Sequence, residues 1–324
     1  MIHDPFAEAF VLTGPTGSGK SAVALDLAER LGGEIVAMDS MTLYRGLDIG
    51  TAKPSLEEQL RVRHHAIDVL DPWESANVAW WLARAAAACA DIRARGKRPL
   101  LVGGTPLYLK AVLSGLFDAP PTNPELRTRL ESDAERLGPI AFHRRLAAID
   151  PPTAARLHPN DIRRVVRALE VWELTGQPIS ALQQTWETAT FAGRSPGSTI
   201  PCAVLEWPRD ELVRRIETRV DTMLAGGWLD EVRRLRELPR PLSKEASQAL
   251  GYKELFAHSP DTEPPRPETV TAIKTRTRQF AKRQLTWFRS LPGCRACAAN
   301  EPNVADRVRI LWENANLTIP AQPS

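Results

Sequence analysis

The chain has 324 residues, of which 43% are hydrophobic and 25% are charged, proportions that are ordinary for a protein with a buried core. Its net charge is only +3, so a nucleic-acid partner would have to meet a local basic patch. The four cysteines are too few for a disulfide framework, and we find neither a signal sequence nor an apolar run long enough to cross a membrane. These features argue against a secreted disulfide scaffold and a membrane protein, and they predict a cytoplasmic location.

A strand, a glycine-rich loop and a helix open the chain. Residues 9–13 (AFVLT) form a short apolar run, and the loop GPTGSGKS covers residues 14–21. The segment after the loop has apolar residues at helical spacing and ends at Gly32. A second predicted strand covers residues 34–38 and is followed at once by Asp39.

The alternation of strand and helix continues. Residues 65–70 are a weaker strand candidate, residues 80–95 predict a helix, and residues 99–102 predict a buried strand that runs into Gly-Gly-Thr at 103–105. Strands that alternate with helices are typical of a parallel sheet with functional side chains at the carboxyl ends of the strands. The predicted fold class is therefore α/β, with a P-loop NTPase-like parallel sheet flanked by helices.

The composition changes near residue 117. Residues 118–199 have little strand pattern, many Arg and Glu residues, and helical segments interrupted by prolines. We interpret them as an all-helical insertion subdomain that ends in a loose segment at 192–199. The chain then returns to the sheet with a predicted strand at 202–206.

Long helices are predicted for the rest of the chain, at about 209–237, 244–257 and 267–289. The sequence beyond residue 292 is only weakly patterned. The predicted domains are a core of residues 1–117 and 200–292, a helical insertion of residues 118–199, and a C-terminal tail of residues 293–324.

The loop GPTGSGKS fits the pattern G-x-x-x-x-G-K-[S/T] in its required setting between a strand and a helix. Glycines let backbone N–H groups turn inward around phosphate oxygens, and the helix N-terminus adds about half a positive charge. Lys20 supplies a full charge, and Ser21 is a candidate ligand of Mg²⁺. The loop predicts binding of a diphosphate or a triphosphate, and the candidate diphosphate-binding residues are Gly14, Thr16, Gly17, Ser18, Gly19, Lys20 and Ser21.

The strand expected to carry a metal-binding carboxylate does not have one. P-loop ATPases and GTPases place a Walker-B Asp at the end of an apolar strand, where it helps to hold Mg²⁺. Here residues 100–102 lead into Gly103, Gly104 and Thr105. A hydroxyl can hydrogen-bond a leaving phosphate oxygen but is a poor metal ligand. This departure disfavours motor and switch NTPases, and it leaves small-molecule kinases and other diphosphate-handling transferases.

Asp39 follows the second strand, 19 residues after Lys20. In a parallel sheet this position lies beside the phosphate loop, where a carboxylate can accept a proton from an attacking nucleophile. An Asp at a strand end can equally cap the backbone that follows it. Its position alone does not decide between these two roles.

Seven segments resemble the signatures of the tRNA dimethylallyltransferase family, in matching order across residues 10–289. They are GPTGSGKS, DSMTLYRGLDIGTAKP, LVGGTPLYLKAVLSGL, HPNDIRRVVRALEVWELTG, RIETRVDTMLAGGWLDEV, QALGYKEL and RQFAKRQLTWFR. The chain departs from the family at Met41 and Thr42, where a small residue followed by Gln is usual. The contacts made from these two positions are therefore open, whereas the role of Asp39 is not affected.

The resemblance implies transfer of a dimethylallyl group from dimethylallyl diphosphate to the exocyclic N6 of an adenine in tRNA, at position 37 next to the anticodon, with release of diphosphate. It implies that the phosphate loop binds the diphosphate together with Mg²⁺ and that Asp39 pairs with the adenine amine and takes its proton. It further implies that Thr105 hydrogen-bonds the leaving bridging oxygen and that Arg219 holds the diphosphate. The adenine would have to flip out of its stack. The family also suggests a monomer without an obligate protein partner.

A basic helix and a second basic patch are the candidate tRNA surfaces. Residues 271–289 (TAIKTRTRQFAKRQLTWFR) contain six Lys or Arg residues and no acidic residue, a one-signed pattern that favours phosphate contacts over a merely solvated face. A basic surface helix without a ligand remains the alternative. The candidate contacts with the anticodon stem-loop are Asp39, Ser40, Met41, Thr42, Arg163, Arg164, Arg167, Lys274, Arg278 and Lys282.

Three other functions fit part of the sequence. A small-molecule kinase would share the P-loop and the strand-end Asp, but no Arg-rich lid over a nucleotide is obvious. An isopentenyltransferase that acts on free adenine nucleotides would resemble the chain around the loop but generally lacks the extended insertion. A non-enzymatic RNA-binding module would need no diphosphate loop.

Overall fold

The computed structural model describes residues 4–116, 120–188, 200–257 and 265–317. The strands in this part of the chain are β1 (Phe10–Thr13), β2 (Gly33–Ala37), β3 (His64–His65), β4 (Arg98–Gly103), β5 (Cys202–Glu206) and β6 (Cys294–Ala298). They form one sheet in the order β3-β2-β4-β1-β5-β6, and every neighbouring pair is parallel. Because β2, β4 and β1 are neighbours, the loops that follow these strands meet at one edge of the sheet.

Helices surround the sheet and form the insertion. They are α1 (Lys20–Leu31), α2 (Leu56–Arg61), α3 (Val78–Ala94), α4 (Pro106–Ser114), α5 (Pro124–Leu137), α6 (Pro139–Ile149), α7 (Pro151–Arg156), α8 (Ile162–Thr175), α9 (Ile179–Thr188), α10 (Arg209–Ala225), α11 (Trp228–Arg236), α12 (Tyr252–Phe256), α13 (Pro267–Ser290) and α14 (Val304–Leu317). Across the described ranges, no helix combines the length and the apolar character that a bilayer crossing requires.

Both faces of the sheet are buried under helices. On one face, α1 and α14 pack with Phe10 and Leu12 in a single apolar cluster. Val11 alternates with these residues along β1, so it points to the opposite face, where it is also fully buried. Helix α3 packs against β2 and β4, and the indole of Trp81 donates a hydrogen bond to the Ala37 carbonyl at 3.0 Å. This arrangement explains why the strand sequences are almost continuously apolar.

The chain divides into two compact units, one of Met1–Leu113 with Gly193–Ser324 and one of Ser114–Ala192. The first contains the sheet, and the described part of the second is entirely helical, from α5 to α9. The second unit has its own apolar core, which includes Leu130, Phe142 and Leu169. The predicted boundary at residues 117 and 118 and the loose segment predicted at 192–199 lie outside the described residues.

Two predicted helices are shorter in the structure. The segment 209–237 is interrupted by Gly226 and Gly227 between α10 and α11, because two consecutive glycines strongly disfavour a helix. Within 244–257 only α12 is α-helical, and it is preceded by a single 3₁₀ turn at Ala246–Gln248.

The strand predicted at 65–70 is reduced to β3. The backbone takes up a left-handed conformation at Ala66 (φ 60°) and again at Asp68 (φ 52°), which ends the extended chain. Only Leu70 makes a further bridge, to Tyr44.

The described part of the predicted C-terminal tail, residues 293–317, packs with the sheet and does not form a separate region. Strand β6 extends the sheet beside β5, and α14 packs into the core cluster. The ring of Trp312 stacks on Phe10 with centroids 4.6 Å apart, and its indole N–H donates to the Val11 carbonyl at 3.0 Å. These contacts join residues about 300 positions apart, so a local pattern cannot reveal them.

Candidate active site

A cavity of about 430 Å³ lies at the carboxyl ends of β1, β2 and β4. Its volume falls within the range of about 300–1,000 Å³ that is usual for small-molecule sites. The predicted residues that line it are Thr16, Lys20, Ser21, Asp39, Ser40, Met41, Thr42, Thr105 and Arg219. Gly14, Gly17, Ser18 and Gly19 belong to the same loop but are not part of this lining. The structure therefore brings the three candidate catalytic residues together with the end of the phosphate loop.

A second group of lining residues forms an apolar wall. It includes Val220 and Met223 from α10, Trp228 from α11, Tyr252 from α12 and Phe280 from α13. A cavity with one charged wall and one apolar wall suits a ligand that has an anionic head and a hydrocarbon tail.

Two cations and one carboxylate interact across the charged wall. Burial lowers the pKa of Lys20 to about 8, the nearby Arg219 lowers it as well, and Asp39 opposes both effects. Burial also lowers the pKa of Arg219, again against the influence of Asp39. Burial and mutual repulsion destabilise the two positive charges, and an anionic ligand would relieve this cost.

The phosphate loop is held from outside by two side chains. The Trp207 indole N–H donates to the Ser18 carbonyl at 2.9 Å, and the Arg215 Nε donates to the Gly17 carbonyl at 2.8 Å. The Arg215 guanidinium also lies over the Trp207 ring, 4.1 Å from its centroid. In a trans peptide the C=O and the following N–H point in opposite directions, so fixing the Ser18 carbonyl outward turns the Gly19 N–H inward.

Hydrogen bonds from two neighbouring backbone amides fix the side chains of Asp39 and Thr105. One carboxylate oxygen of Asp39, Oδ1, accepts from the Met41 amide at 2.8 Å, and the Thr105 hydroxyl accepts from the Ser40 amide at 3.1 Å. Asp39 therefore does cap the following turn. A carboxylate has a second oxygen, and a hydroxyl that accepts one bond still has a hydrogen to donate, so both groups can also serve a ligand.

The end of β4 has no room for a Walker-B carboxylate. A Cβ atom at Gly103 would lie 2.0 Å from the Met38 carbonyl oxygen, so no side chain fits at this position. The close approach of the Met38 carbonyl therefore explains why this strand ends in glycine and not in an acidic residue.

A buried carboxylate that the sequence analysis does not identify organises the backbone beside the apolar wall. Glu231 accepts hydrogen bonds from the amides of Asp48 at 3.0 Å and Ile49 at 2.8 Å, and from the Tyr252 hydroxyl. The Tyr252 hydroxyl accepts in turn from the Gly50 amide at 3.1 Å. Burial and the nearby Glu231 raise the pKa of Tyr252, so this hydroxyl stays protonated and keeps its donor role.

The side chains around the cavity fit a divalent cation that arrives with a ligand. Within the described ranges, no group of three or more His, Cys, Asp or Glu side chains is arranged to hold a metal. The cavity offers the Ser21 hydroxyl and the Asp39 carboxylate. Mg²⁺ keeps several water ligands and commonly binds through one or two protein groups together with substrate phosphates. Such a site needs no preformed cage.

Two of the three candidate RNA-binding cations in α13 already have carboxylate partners in α10. Lys274 pairs with Asp221 at 2.7 Å, and Arg278 pairs with Glu217. Lys282 is exposed and has no ion pair in the part of the chain that the structure describes. Of these three cations, Lys282 is the most available to bind a phosphate group of an RNA.

The candidate RNA-binding arginines of the insertion lie on α8. Arg164 pairs with Asp161 at 2.9 Å, and Arg167 pairs with the buried Glu170 at 2.7 Å. Arg163 is exposed and has no ion pair among the described residues. Arg167 therefore has a structural role whether or not it meets RNA, because it neutralises a carboxylate that has no exposure to solvent.

The sequence analysis misses further residues that shape the site. Trp207, Arg215 and Glu231 act through contacts that are remote in sequence, and no local pattern marks them. Gln284 is different, because it lies four residues before the buried Phe288 on the apolar face of α13. A polar residue at a buried helical position is a signal that the sequence does contain.

Comparison with known families gives two matches. The IPP transferase family matches residues 42–291, and the isopentenyl transferase family matches residues 7–68. The first match covers more than half of the chain.

Individual relatives agree with these families. A protein of Geobacter metallireducens named tRNA dimethylallyltransferase is 49% identical over 291 residues, which is 89% of this chain and 92% of the relative. A protein of the same name from Methylibium petroleiphilum is 44% identical over 305 residues, or 93% and 92% of the two chains.

Solved structures show the same fold. The tRNA isopentenylpyrophosphate transferase of Bacillus halodurans is 34% identical with a TM-score of 0.66, covering 96% of this chain and 98% of that one. A eukaryotic dimethylallyltransferase described as acting on tRNA is 27% identical with a TM-score of 0.74, covering 96% and 80%.

Proposed function

Because the chain belongs to the IPP transferase family, we propose that it is a tRNA prenyltransferase. It would transfer a dimethylallyl group from dimethylallyl diphosphate to the exocyclic N6 of adenine 37 in tRNA and release diphosphate. The observation that carries this proposal is one cavity that combines Lys20, Arg219, Thr105 and Asp39 with an apolar wall. With tRNA as the substrate, we also propose a cytoplasmic location.

The cationic residues act on the leaving group. As the bond between the allylic carbon and the bridging oxygen breaks, negative charge gathers on the diphosphate. Lys20, Arg219 and the inward amides of the phosphate loop stabilise that charge, and Thr105 donates its free hydroxyl hydrogen to the bridging oxygen. The apolar wall contacts the dimethylallyl group.

Asp39 acts on the acceptor. The adenine N6 forms the new bond to the allylic carbon and becomes strongly acidic as it does so. The Asp39 oxygen that is not engaged by Met41 takes the N6 proton, so the product amine is neutral. Attack requires the adenine to leave its stack and enter the cavity.

Mg²⁺ fits this site as a companion of the donor. The Ser21 hydroxyl at the start of α1 would hold the ion beside the diphosphate, where the metal supplies additional positive charge for the leaving group. The proposal needs no other cofactor.

We propose tRNA contacts for residues of the cavity and for residues of α8 and α13. Ser40, Met41 and Thr42 line the cavity beside Asp39, where the flipped base would enter. The exposed Arg163 and Lys282 are free to meet phosphates of the anticodon stem-loop. Lys274, Arg278, Arg164 and Arg167 would first have to exchange carboxylate partners.

The proposed function is tested by incubating the protein with unmodified tRNA, Mg²⁺ and labelled dimethylallyl diphosphate. We expect label in adenosine 37 of tRNA after nuclease digestion, and no transfer to free AMP. A parallel reaction with ATP should show negligible hydrolysis, because Gly103 excludes a Walker-B carboxylate. Robust tRNA-stimulated ATP hydrolysis without prenyl transfer would overturn the assignment.

A further inference from the structure

Gln284 is a buried amide in a helix whose other buried residues carry no amide or charged group. It is 3% exposed, and the other buried positions of α13 are Ile273, Thr277, Ala281 and Phe288. Burial of an amide is unfavourable unless its polar atoms are hydrogen-bonded. The partners of Gln284 therefore bear on why an amide occupies this position.

Both ends of the Gln284 amide are used, and by different loops. Its Oε1 accepts from the Thr16 amide at 2.9 Å, and its Nε2 donates to the Gly104 carbonyl at 2.6 Å. A backbone N–H can only donate and a carbonyl can only accept, so the two partners fix the orientation of the amide uniquely. One side chain thereby joins the phosphate loop after β1 to the loop after β4.

The loop after β4 is shaped to receive this amide. A Cβ atom at Gly104 would lie 2.6 Å from the Gln284 Nε2 and 3.6 Å from the Lys20 Nζ. Any other residue at position 104 would push the amide away. The approach also brings the Gln284 amide into the lining of the cavity.

The two joined loops carry groups with complementary tasks in the proposed reaction. Gly104 is directly followed by Thr105, whose hydroxyl accepts from the Ser40 amide next to Asp39. Thr16 begins the half of the phosphate loop that ends at Lys20 and Ser21. The spacing between these groups decides whether the leaving oxygen meets the Thr105 hydroxyl and the loop together, and errors of about 1 Å are costly in catalysis.

We propose that Gln284 is a positioning residue for prenyl transfer, which holds the phosphate loop and Thr105 at a fixed separation. This inference rests on the proposed function. Gln284 acts through Thr105 and the loop, and it takes no part in bond making or proton transfer.

The test is Gln284→Leu, which keeps much of the side-chain volume and removes both hydrogen bonds. Ile273→Ala is the control, because Ile273 is fully buried on the same helix but does not line the cavity. Thermal unfolding of both variants shows whether they fold, and assays are run well below the lower Tm. We expect Gln284→Leu to lower kcat at least tenfold at unchanged KM for tRNA, and Ile273→Ala to lower kcat less than twofold.

A double-mutant cycle separates positioning from a general loss of structure. If Gln284 acts by placing Thr105, adding Gln284→Leu to Thr105→Ala should lower kcat by much less than it does in the wild type. Ile273→Ala should have the same small effect in both backgrounds. Fully multiplicative effects of Gln284→Leu and Thr105→Ala, or equal losses in Gln284→Leu and Ile273→Ala, would overturn the inference. A wild-type protein without prenyl transfer would instead refute the proposed function.

Discussion

In the proposed reaction, the Asp39 carboxylate has two tasks, to cap a turn and to act as a base. Oδ1 accepts from the Met41 amide and so fixes the turn that carries Ser40 and Met41 along the cavity. The other oxygen is available for the adenine amine. The capping role and the base role, which position in the sequence leaves open, are therefore compatible, and substitutions at Asp39 affect both unless they are chosen to separate them.

Asp39→Asn separates the two tasks, because the Asn carbonyl oxygen can still accept from the Met41 amide but cannot take a proton. We expect its kcat to fall by about 10²-fold, the usual scale for a lost proton acceptor, with an unchanged affinity for dimethylallyl diphosphate. Asp39→Ala should lose the cap as well and be less stable. Near-native kcat in Asp39→Asn would mean that Asp39 only orients the base.

One face of helix α13 contacts the candidate active site, and another face is exposed to solvent. Its buried face presents Gln284 to the phosphate loop, whereas its exposed positions include Lys282. Between these faces, Lys274 and Arg278 pair with carboxylates of α10. The basic character that marks this helix in the sequence therefore includes charges that are already neutralised within the protein.

Neutralising Lys282 should weaken tRNA binding more than neutralising Lys274, because Lys274 must release Asp221 before it can bind a phosphate. We expect Lys282→Gln to raise KM for tRNA and to reduce the slope of log KM against log salt by about one unit. Lys274→Gln is the matched control and should change the slope less. Equal slopes for Lys282→Gln and the wild type would mean that this face of α13 is exposed to solvent and does not contact tRNA.

At the scale of the molecule, the first strand and helix α14 pack in one core although they are far apart in sequence. Strand β1, which leads into the phosphate loop, is covered by α14 from the C-terminus. Trp312 both stacks on Phe10 and hydrogen-bonds the Val11 carbonyl. The C-terminal segment thus supports the strand that positions the loop.

Trp312→Ala should destabilise the protein by about 3–5 kcal/mol, the usual cost of deleting a fully buried aromatic side chain. Trp287→Ala is the control, because Trp287 lies in α13 but is 37% exposed, and its loss should cost far less. Urea unfolding measures both. A loss below about 1 kcal/mol for Trp312→Ala would mean that α14 is only weakly docked.

The sequence by itself determined the parallel α/β fold, the phosphate loop and the absence of a Walker-B carboxylate. It also marked Asp39 and Thr105, and the family resemblance pointed to Arg219; the structure places these three in one cavity. These features depend on local order: apolar periodicity predicts the element type, and the alternation of strand and helix predicts that the strand ends meet. The family signatures added the chemistry, and the roles of individual residues stay predictions until they are tested.

Only the tertiary structure decided which side chains meet across long stretches of chain. Gln284 and Thr16 are 268 residues apart, and their contact depends on where α13 packs beside the sheet. Strand β6 and helix α14 also depend on distant contacts, because their local sequence pattern is weak. Strand β6 pairs with β5, and α14 packs against β1. It also holds for the acidic partners of Lys274 and Arg278, since they lie on another helix. Local sequence fixes which groups are present, whereas packing fixes their partners.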